Sequence, residues 1–304
     1  MTHVNGFICR QGQLLLENNR YAVFCALFLA LFPYTTWLSL AIIALVTLRK
    51  GWRDGAMLLM PVLTAYLTCA LVSFSVCSSI INTLLTFLPC YLAACLLGLM
   101  VSWRSVANAF FVLLILISAS LHVFVPEFIT NQYLYLYKVI HEAQPELLSK
   151  YLNDVNGYNQ TILANYFFGL QWVSLFISVI MPLLMARFVQ SRLFYPSGFR
   201  HEILTFRGNR MGLFMLVMML FAVSQGKVIA MNALPILVFY FLLAGLSLSA
   251  HLLVRKKIRG GIVILAMPLL LMPFVMLPVY VILGSLDSLF NLRFYLPLNV
   301  GETT

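Results

Sequence analysis

Long apolar segments follow one another closely along this chain, and nothing else constrains its fold as much. They lie at about 21–48, 55–75, 79–101, 105–125, 161–186, 211–226, 231–254 and 261–284. No Asp, Glu, Lys or Arg sits deep inside any of them. A helix needs about 20 apolar residues to cross the ~30 Å hydrocarbon core of a bilayer. Helices satisfy their own backbone in lipid, and these runs are too continuous for the alternating strands of a barrel. The reading is all-α: a polytopic transmembrane helical bundle of about eight spans with proline-broken helices, one integral membrane domain over 1–304.

Composition excludes the alternatives. The chain is 62% hydrophobic and 9% charged, where a soluble domain carries about 25% charged residues. A soluble globular protein, a disordered chain and a secreted disulfide scaffold are all ruled out. The two longest polar stretches, Pro126–Gln160 and Arg187–Arg210, leave no room for a soluble catalytic domain.

Lys and Arg number 19 against 9 Asp and Glu. Most of the excess sits in four tracts: Arg49, Lys50 and Arg53; Arg104; Arg187, Arg192, Arg200, Arg207 and Arg210; and Arg255, Lys256, Lys257 and Arg259. The loop 126–160 instead carries Glu127, Glu142, Glu146 and Asp154. This segregation is the positive-inside pattern and not a nucleic-acid surface. It makes 187–210 a basic cytoplasmic loop and 126–160 a non-cytoplasmic loop. Within that loop Tyr133, Leu134, Tyr137 and Ile140 recur near helical spacing. Pro145-Glu146 reads as a helix start and Asn156-Gly157 as a turn. One or two short helices on the membrane surface, or capping a cavity, are expected.

The first apolar run poses a choice. Residues 1–20 are polar, and the run that follows is too long for a signal-peptide core, so it reads as a retained anchor. As one helix it would be roughly 42 Å long. Pro33-Tyr34-Thr35-Thr36-Trp37 sits at its middle, where proline interrupts the hydrogen-bond ladder. The run is either one tilted span or a broken, re-entrant pair with the N-terminus inside. Pro61, Pro89, Pro182 and Pro235 recur within other spans, and Pro268, Pro273 and Pro278 kink or unwind the last. Broken helices line the substrate sites of many transporters, although membrane helices also tolerate proline generally.

Catalytic signatures are missing. There is no HExxH, GxSxG, P-loop or Gly-rich dinucleotide turn. The cysteines Cys9, Cys25, Cys69, Cys77, Cys90 and Cys95 form no CxxC and no zinc-spaced cluster. The expectation is no enzymatic activity, no metal and no cofactor. The polar residues inside spans are the candidate ligand contacts: Asn165 and Gln171, with Trp172 beside it. An amide near mid-membrane must face a neighbouring helix, water or a ligand. Asn108, Ser118 and Ser120 are weaker cases. His122, Glu127 and His251 lie near span ends, and Lys227 and Asn232 bracket a turn. Ala22, Ala26 and Ala30 form a small-residue ladder that marks a docking face, inside the protein or toward a partner; Gly245 and Ser249 make a similar face. In the tail 285–304, Asp287 and Arg293 are six residues apart, so pairing them requires a tight turn and not a helix.

Several of these stretches together resemble the YybS-like family of bacterial membrane proteins, whose function is unknown. The tail Gly284-x-x-Asp287-x-x-Phe290-Asn291-Leu292-Arg293 is similar to that family's closing pattern, with Asn291 where an acid is common. Asn232-Ala-Leu-Pro-Ile-Leu with Ala244-Gly245-Leu246 resembles its penultimate span. Glu202-Ile-Leu-Thr-Phe-Arg207 and Arg49-Lys-Gly51-Trp-Arg53 resemble two of its connecting stretches. The family is distantly similar to the substrate-binding S-components of energy-coupling-factor transporters, which dock through Ala-xxx-Ala steps on their first helix. The resemblance implies a small-molecule-binding or transport-related subunit in the bacterial inner membrane. It also implies energy-coupling transmembrane and ATPase subunits as partners, with Ala22, Ala26 and Ala30 as the docking ladder. S-components have about six spans, and this chain carries no vitamin-class motif. The alternative is a structural or assembly membrane protein that acts through helix–helix contacts without a small-molecule ligand.

Overall fold

A computed structural model describes residues 2–32, 34–73, 75–100, 102–143, 160–194, 198–256 and 261–295. Among them are fourteen helices and no strand. The helix start expected at Pro145-Glu146 and the turn at Asn156-Gly157 lie outside the described residues. Six helices are long and apolar enough to cross a membrane, and eight spans result if each of two bent pairs counts as one. The protein is therefore a multi-pass helical membrane protein in contact with the lipid bilayer.

The helices gather into two compact units. One is built on Met1–Val106 and Leu175–Ile203, the other on Ala107–Ser174 and Leu204–Asn299.

In the first unit, α1 (Thr2–Glu17) turns by 115° into α2 (Asn19–Leu31). The Asn18 side chain caps α2 by accepting from the Arg20 and Tyr21 amides at 3.1 and 3.3 Å. This turn supplies the acceptor that the first backbone N–H groups of a helix lack.

The first apolar run is broken, not tilted. The helix α2 ends at Leu31, and α3 (Thr36–Lys50) begins five residues later. Phe32 is extended (φ −100°, ψ 122°), as the residue before a proline must be. The hydroxyl of Thr35 donates to Leu29 O at 2.7 Å, and that of Thr36 to Phe32 O at 3.2 Å. The carbonyls freed at the break are thus satisfied, as non-helical backbone at membrane depth requires. Ser39 Oγ then donates to Ala26 O at 2.8 Å. Residues 26 and 39 lie nearly symmetrically about the break, so the two helices fold back on each other as a hairpin. Each arm is about 20 Å long, shorter than the ~30 Å hydrocarbon core.

The helices α4 (Trp52–Ser73) and α5 (Val76–Met100) complete this core around α3. All residues from Ser39 to Thr47 are buried, so α3 is a helix enclosed on every side. The hydroxyl of Tyr91 on α5 donates to Trp52 O at the start of α4, 2.8 Å away, which fixes the two as antiparallel.

The chain continues through α6 (Trp103–Phe124), α7 (Pro126–Ala143) and α8 (Gln160–Phe194). The short α9 (Gly198–Thr205) meets α10 (Arg210–Ser224) at a 43° bend. In the second unit α11 (Val228–Arg255) is the central helix and the most buried of the long apolar helices. Against it pack α10, α12 (Gly261–Leu271) and α13 (Pro273–Phe290). The last apolar run breaks at Met272, immediately before Pro273, as its prolines foretold.

The contact between α11 and α13 depends on two glycines. A Cβ on Gly245 would lie 1.9 Å from Tyr280 O, and one on Gly284 would lie 2.3 Å from Phe241 O. Each glycine thus sits beneath the backbone of the facing helix. Membrane helices lack a hydrophobic drive toward each other, so close backbone approach of this kind is a main source of their association.

Candidate functional site

Three polar constellations occupy the second unit. The first is built on α8. Asn165, Gly169 and Trp172 follow at four- and three-residue spacing and share one helix face. A Cβ on Gly169 would meet Asn232 O at 2.6 Å and Pro235 Cγ at 2.8 Å, so this face lies against the first turns of α11. Asn165 is buried there. Phe168 stacks edge-on against Trp172, with centroids 5.6 Å apart, and against Phe128 of α7 at 6.2 Å. Ile129, Ala164 and Phe168 form a buried cluster to which Leu121, Tyr133 and Trp172 add.

Several buried polar atoms on α6, α7, α8 and α11 have no hydrogen-bond partner among the described residues. They are both amide atoms of Asn232, Trp172 Nε1, Gln132 Oε1 and His122 Nδ1. Asn232 is 1% exposed. An amide in that position costs about 1–3 kcal/mol by protein mutational data. None of them belongs to Asp, Glu, Lys or Arg, and Trp172 itself stacks on Phe168. The arrangement suits a neutral molecule that offers both donors and acceptors.

Of the three residues expected to contact a ligand, Asn165 and Trp172 lie on this face. Gln171 is half-buried and lies about 100° round α8 from Trp172. Asn232 was expected to bracket a turn. The turn instead ends at Lys227, and Asn232 is the fifth residue of α11. The hydropathy pattern placed the start of that span three residues late. Its only sequence signal was an amide close to an apolar run.

The second constellation lies where α13 ends. The C-cap Asn291 is left-handed (φ 50°, ψ 56°), and its N–H donates to Asp287 O at 3.0 Å. Asparagine tolerates this conformation better than most residues. The turn sends α14 (Leu292–Tyr295) back and brings Arg293 Nε to 3.0 Å from Asp287 Oδ2. This is the tight turn that a six-residue spacing requires. The rest of the guanidinium donates to Leu204 O, to Phe206 O at 2.6 Å and to Ser247 Oγ at 3.2 Å. One side chain therefore joins α13, the end of α9 and α11. Burial pushes the Arg293 guanidinium below its usual value; Asp287 opposes that shift and nearby Arg207 adds to it. Within the tail motif, Gly284 makes the helix crossing and Asp287 and Arg293 make the clamp, whereas Phe290 is exposed.

A third network links α6 to α11. The Tyr240 hydroxyl donates to Asn108 Oδ1 at 2.5 Å and accepts from Asn209 N at 3.1 Å. Asn108, a weak candidate in the sequence, is thus engaged within the unit.

In the first unit, Ala22, Ala26 and Ala30 are 1%, 0% and 2% exposed. They belong to the α2 helix that packs on α3 and α4, and the Ala26 carbonyl accepts from Ser39. A partner could reach this ladder only if α2 left these contacts. Among the described residues no group of three or more His, Cys, Asp or Glu is placed to hold a metal ion. No protein-family model, curated protein or solved structure matches the chain.

Proposed function

We propose that this protein is a non-catalytic, small-molecule-binding subunit of a transport system in the bacterial inner membrane, comparable to an S-component. The observation that carries the reading is the buried Asn232 amide, with neither atom hydrogen-bonded to a described residue. The backbone carbonyl of the same residue lies against the α8 face that bears Asn165 and Trp172. A buried amide can both donate and accept, and a ligand with a matching edge would satisfy it. Trp172, Phe168 and Tyr133 supply the apolar wall that small-molecule sites combine with a few polar groups. The ligand is uncharged, since the groups that await it are chiefly an amide and an indole N–H and include no Asp, Glu, Lys or Arg. The partners are energy-coupling transmembrane and ATPase subunits. Docking on Ala22, Ala26 and Ala30, which are buried in α2, would require α2 to leave α3 and α4.

The test is purification of the tagged protein from its native membrane in mild detergent, with mass spectrometry of proteins and small molecules. Recovery of an energising membrane subunit with ATPase subunits, together with an enriched neutral compound, supports the proposal. Recovery of envelope-assembly proteins alone favours a structural role acting through helix contacts.

A further inference from the structure

The helix α2 orders its outer surface along its length. Arg20, Phe24 and Phe28 follow at four-residue spacing, all exposed. Phe32 stands just past the helix end, also exposed, with its ring edge-on to Phe28 and the centroids 5.2 Å apart. The other face of α2 is the buried alanine ladder. From Arg20 to Phe32 the helical rise is about 18 Å. One leaflet contributes about 15 Å to a hydrocarbon core of about 30 Å. A cation at the head of an exposed apolar stripe of that length has the polarity and the dimensions of one phospholipid.

Other cations collect at the head of the stripe. Lys50, at the end of α3, donates from Nζ to the Asn19 side chain, beside Arg20. The Tyr21 hydroxyl donates to Gln11 Oε1 at 3.0 Å, which ties α1 to the first turn of α2 next to the exposed Arg10. The Arg49 guanidinium lies 3.9 Å over the Phe194 ring at the end of α8. A Cβ on Gly12 would lie 2.8 Å from Val189 Cγ1 of that same helix end. Two basic tracts far apart in the sequence therefore meet at this edge, and the positive-inside pattern assigns both to the cytoplasm. Glu17 and Asp54 are the only acids from Met1 to Gly55. None of Arg10, Arg20, Arg49 and Lys50 pairs with a carboxylate among the described residues.

We propose that this edge binds an anionic phospholipid, with its phosphate on Arg20 and Lys50 and an acyl chain along Phe24, Phe28 and Phe32. Charge and apolar surface select the occupant together. A soluble anion would engage the cations and leave the stripe uncovered. A zwitterionic lipid would cover the stripe, but its own cation would face Arg20 and Lys50. An anionic lipid satisfies both, and basic groups at the cytoplasmic edge of membrane helices attract such headgroups.

The full-length protein in mild detergent is titrated with phosphatidylglycerol and with phosphatidylcholine of the same acyl chains, and bound lipid is read by native mass spectrometry. The wild type is expected to prefer phosphatidylglycerol. Arg20→Gln and Lys50→Gln should each lower that preference about fivefold. Phe24→Ala should weaken both lipids alike. Lys256→Gln, which removes an exposed cation at the end of α11, should change neither. An unchanged thermal unfolding profile shows that each variant folds; if Lys50→Gln does not, Arg20→Gln and Arg10→Gln decide. A wild type that prefers neither lipid overturns the proposal and leaves the cations to an acidic protein partner. A loss on Lys256→Gln equal to that on Arg20→Gln also overturns it, because net charge then sets the preference. So does displacement of phosphatidylglycerol by inorganic phosphate at matched ionic strength, which assigns the cations to a soluble anion.

Discussion

Replacing Arg293 by Leu removes the cation from a carboxylate that has no access to solvent, since Asp287 is 0% exposed. Breaking a buried ion pair by deleting one partner destabilises by about 3–5 kcal/mol, because the remaining charge is left uncompensated. The same change strips the guanidinium from the Leu204 and Phe206 carbonyls, bonds of a kind worth about 1.5–3 kcal/mol. These losses share one side chain and do not add, so a total near 3–5 kcal/mol is expected. The assay is reversible chemical unfolding in mild detergent, run as a double-mutant cycle with Asp287→Asn. With the carboxylate neutralised, Arg293→Leu should cost only about 1.5–3 kcal/mol, from the carbonyl bonds, which leaves a coupling of about 2 kcal/mol. Arg293→Lys should rescue little. One ammonium cannot reach the Asp287 carboxylate and both carbonyls as the planar fork does. If Arg293→Leu lies within about 1 kcal/mol of wild type, or costs the same with and without Asp287, the clamp does not hold α13 to α9.

Two further substitutions probe the second unit. Gly245→Ala puts a methyl group where Tyr280 O stands 1.9 Å away. The α11–α13 contact must then open, and a loss of about 1–3 kcal/mol is expected in the same unfolding assay. Tyr240→Phe removes the acceptor of the Asn209 N–H and the donor to Asn108. A loss of about 1–2 kcal/mol is expected, with faster proteolysis in the connection before α10.

The spans were legible because hydropathy is a property of long windows, and six long apolar helices stand where such windows lie. Pro33 and Pro273 were legible as breaks because proline acts through local sterics, and Phe32 and Met272 are non-helical beside them. What happens after a break was not legible. That α2 folds back on α3 depends on the Ser39 hydroxyl meeting the Ala26 carbonyl, a pairing that no window contains. The Asp287–Arg293 pair could be read only as a conditional, since it hinges on a left-handed Asn291. Asn165 and Trp172 were recognisable as polar groups within a span. Asn232 was hidden because the helix its backbone packs against, at Gly169, lies 63 positions earlier in the numbering. The alanine ladder was legible as a docking face, but spacing alone could not say that α3 and α4 occupy it.

The most direct measurement compares wild type with Asn232→Leu, each purified from its native membrane in mild detergent. Small molecules retained by each are identified by mass spectrometry, and unfolding is followed after exhaustive washing. The account predicts that the wild type retains a neutral compound at near-stoichiometric level and that Asn232→Leu loses it. The washed variant should be more stable than the washed wild type by about 1–3 kcal/mol, because an unpaired buried amide has been removed. A wild type that retains no compound, together with an Asn232→Leu variant that is less stable, would contradict it. The amide would then be serving the packing of α11 and not a ligand.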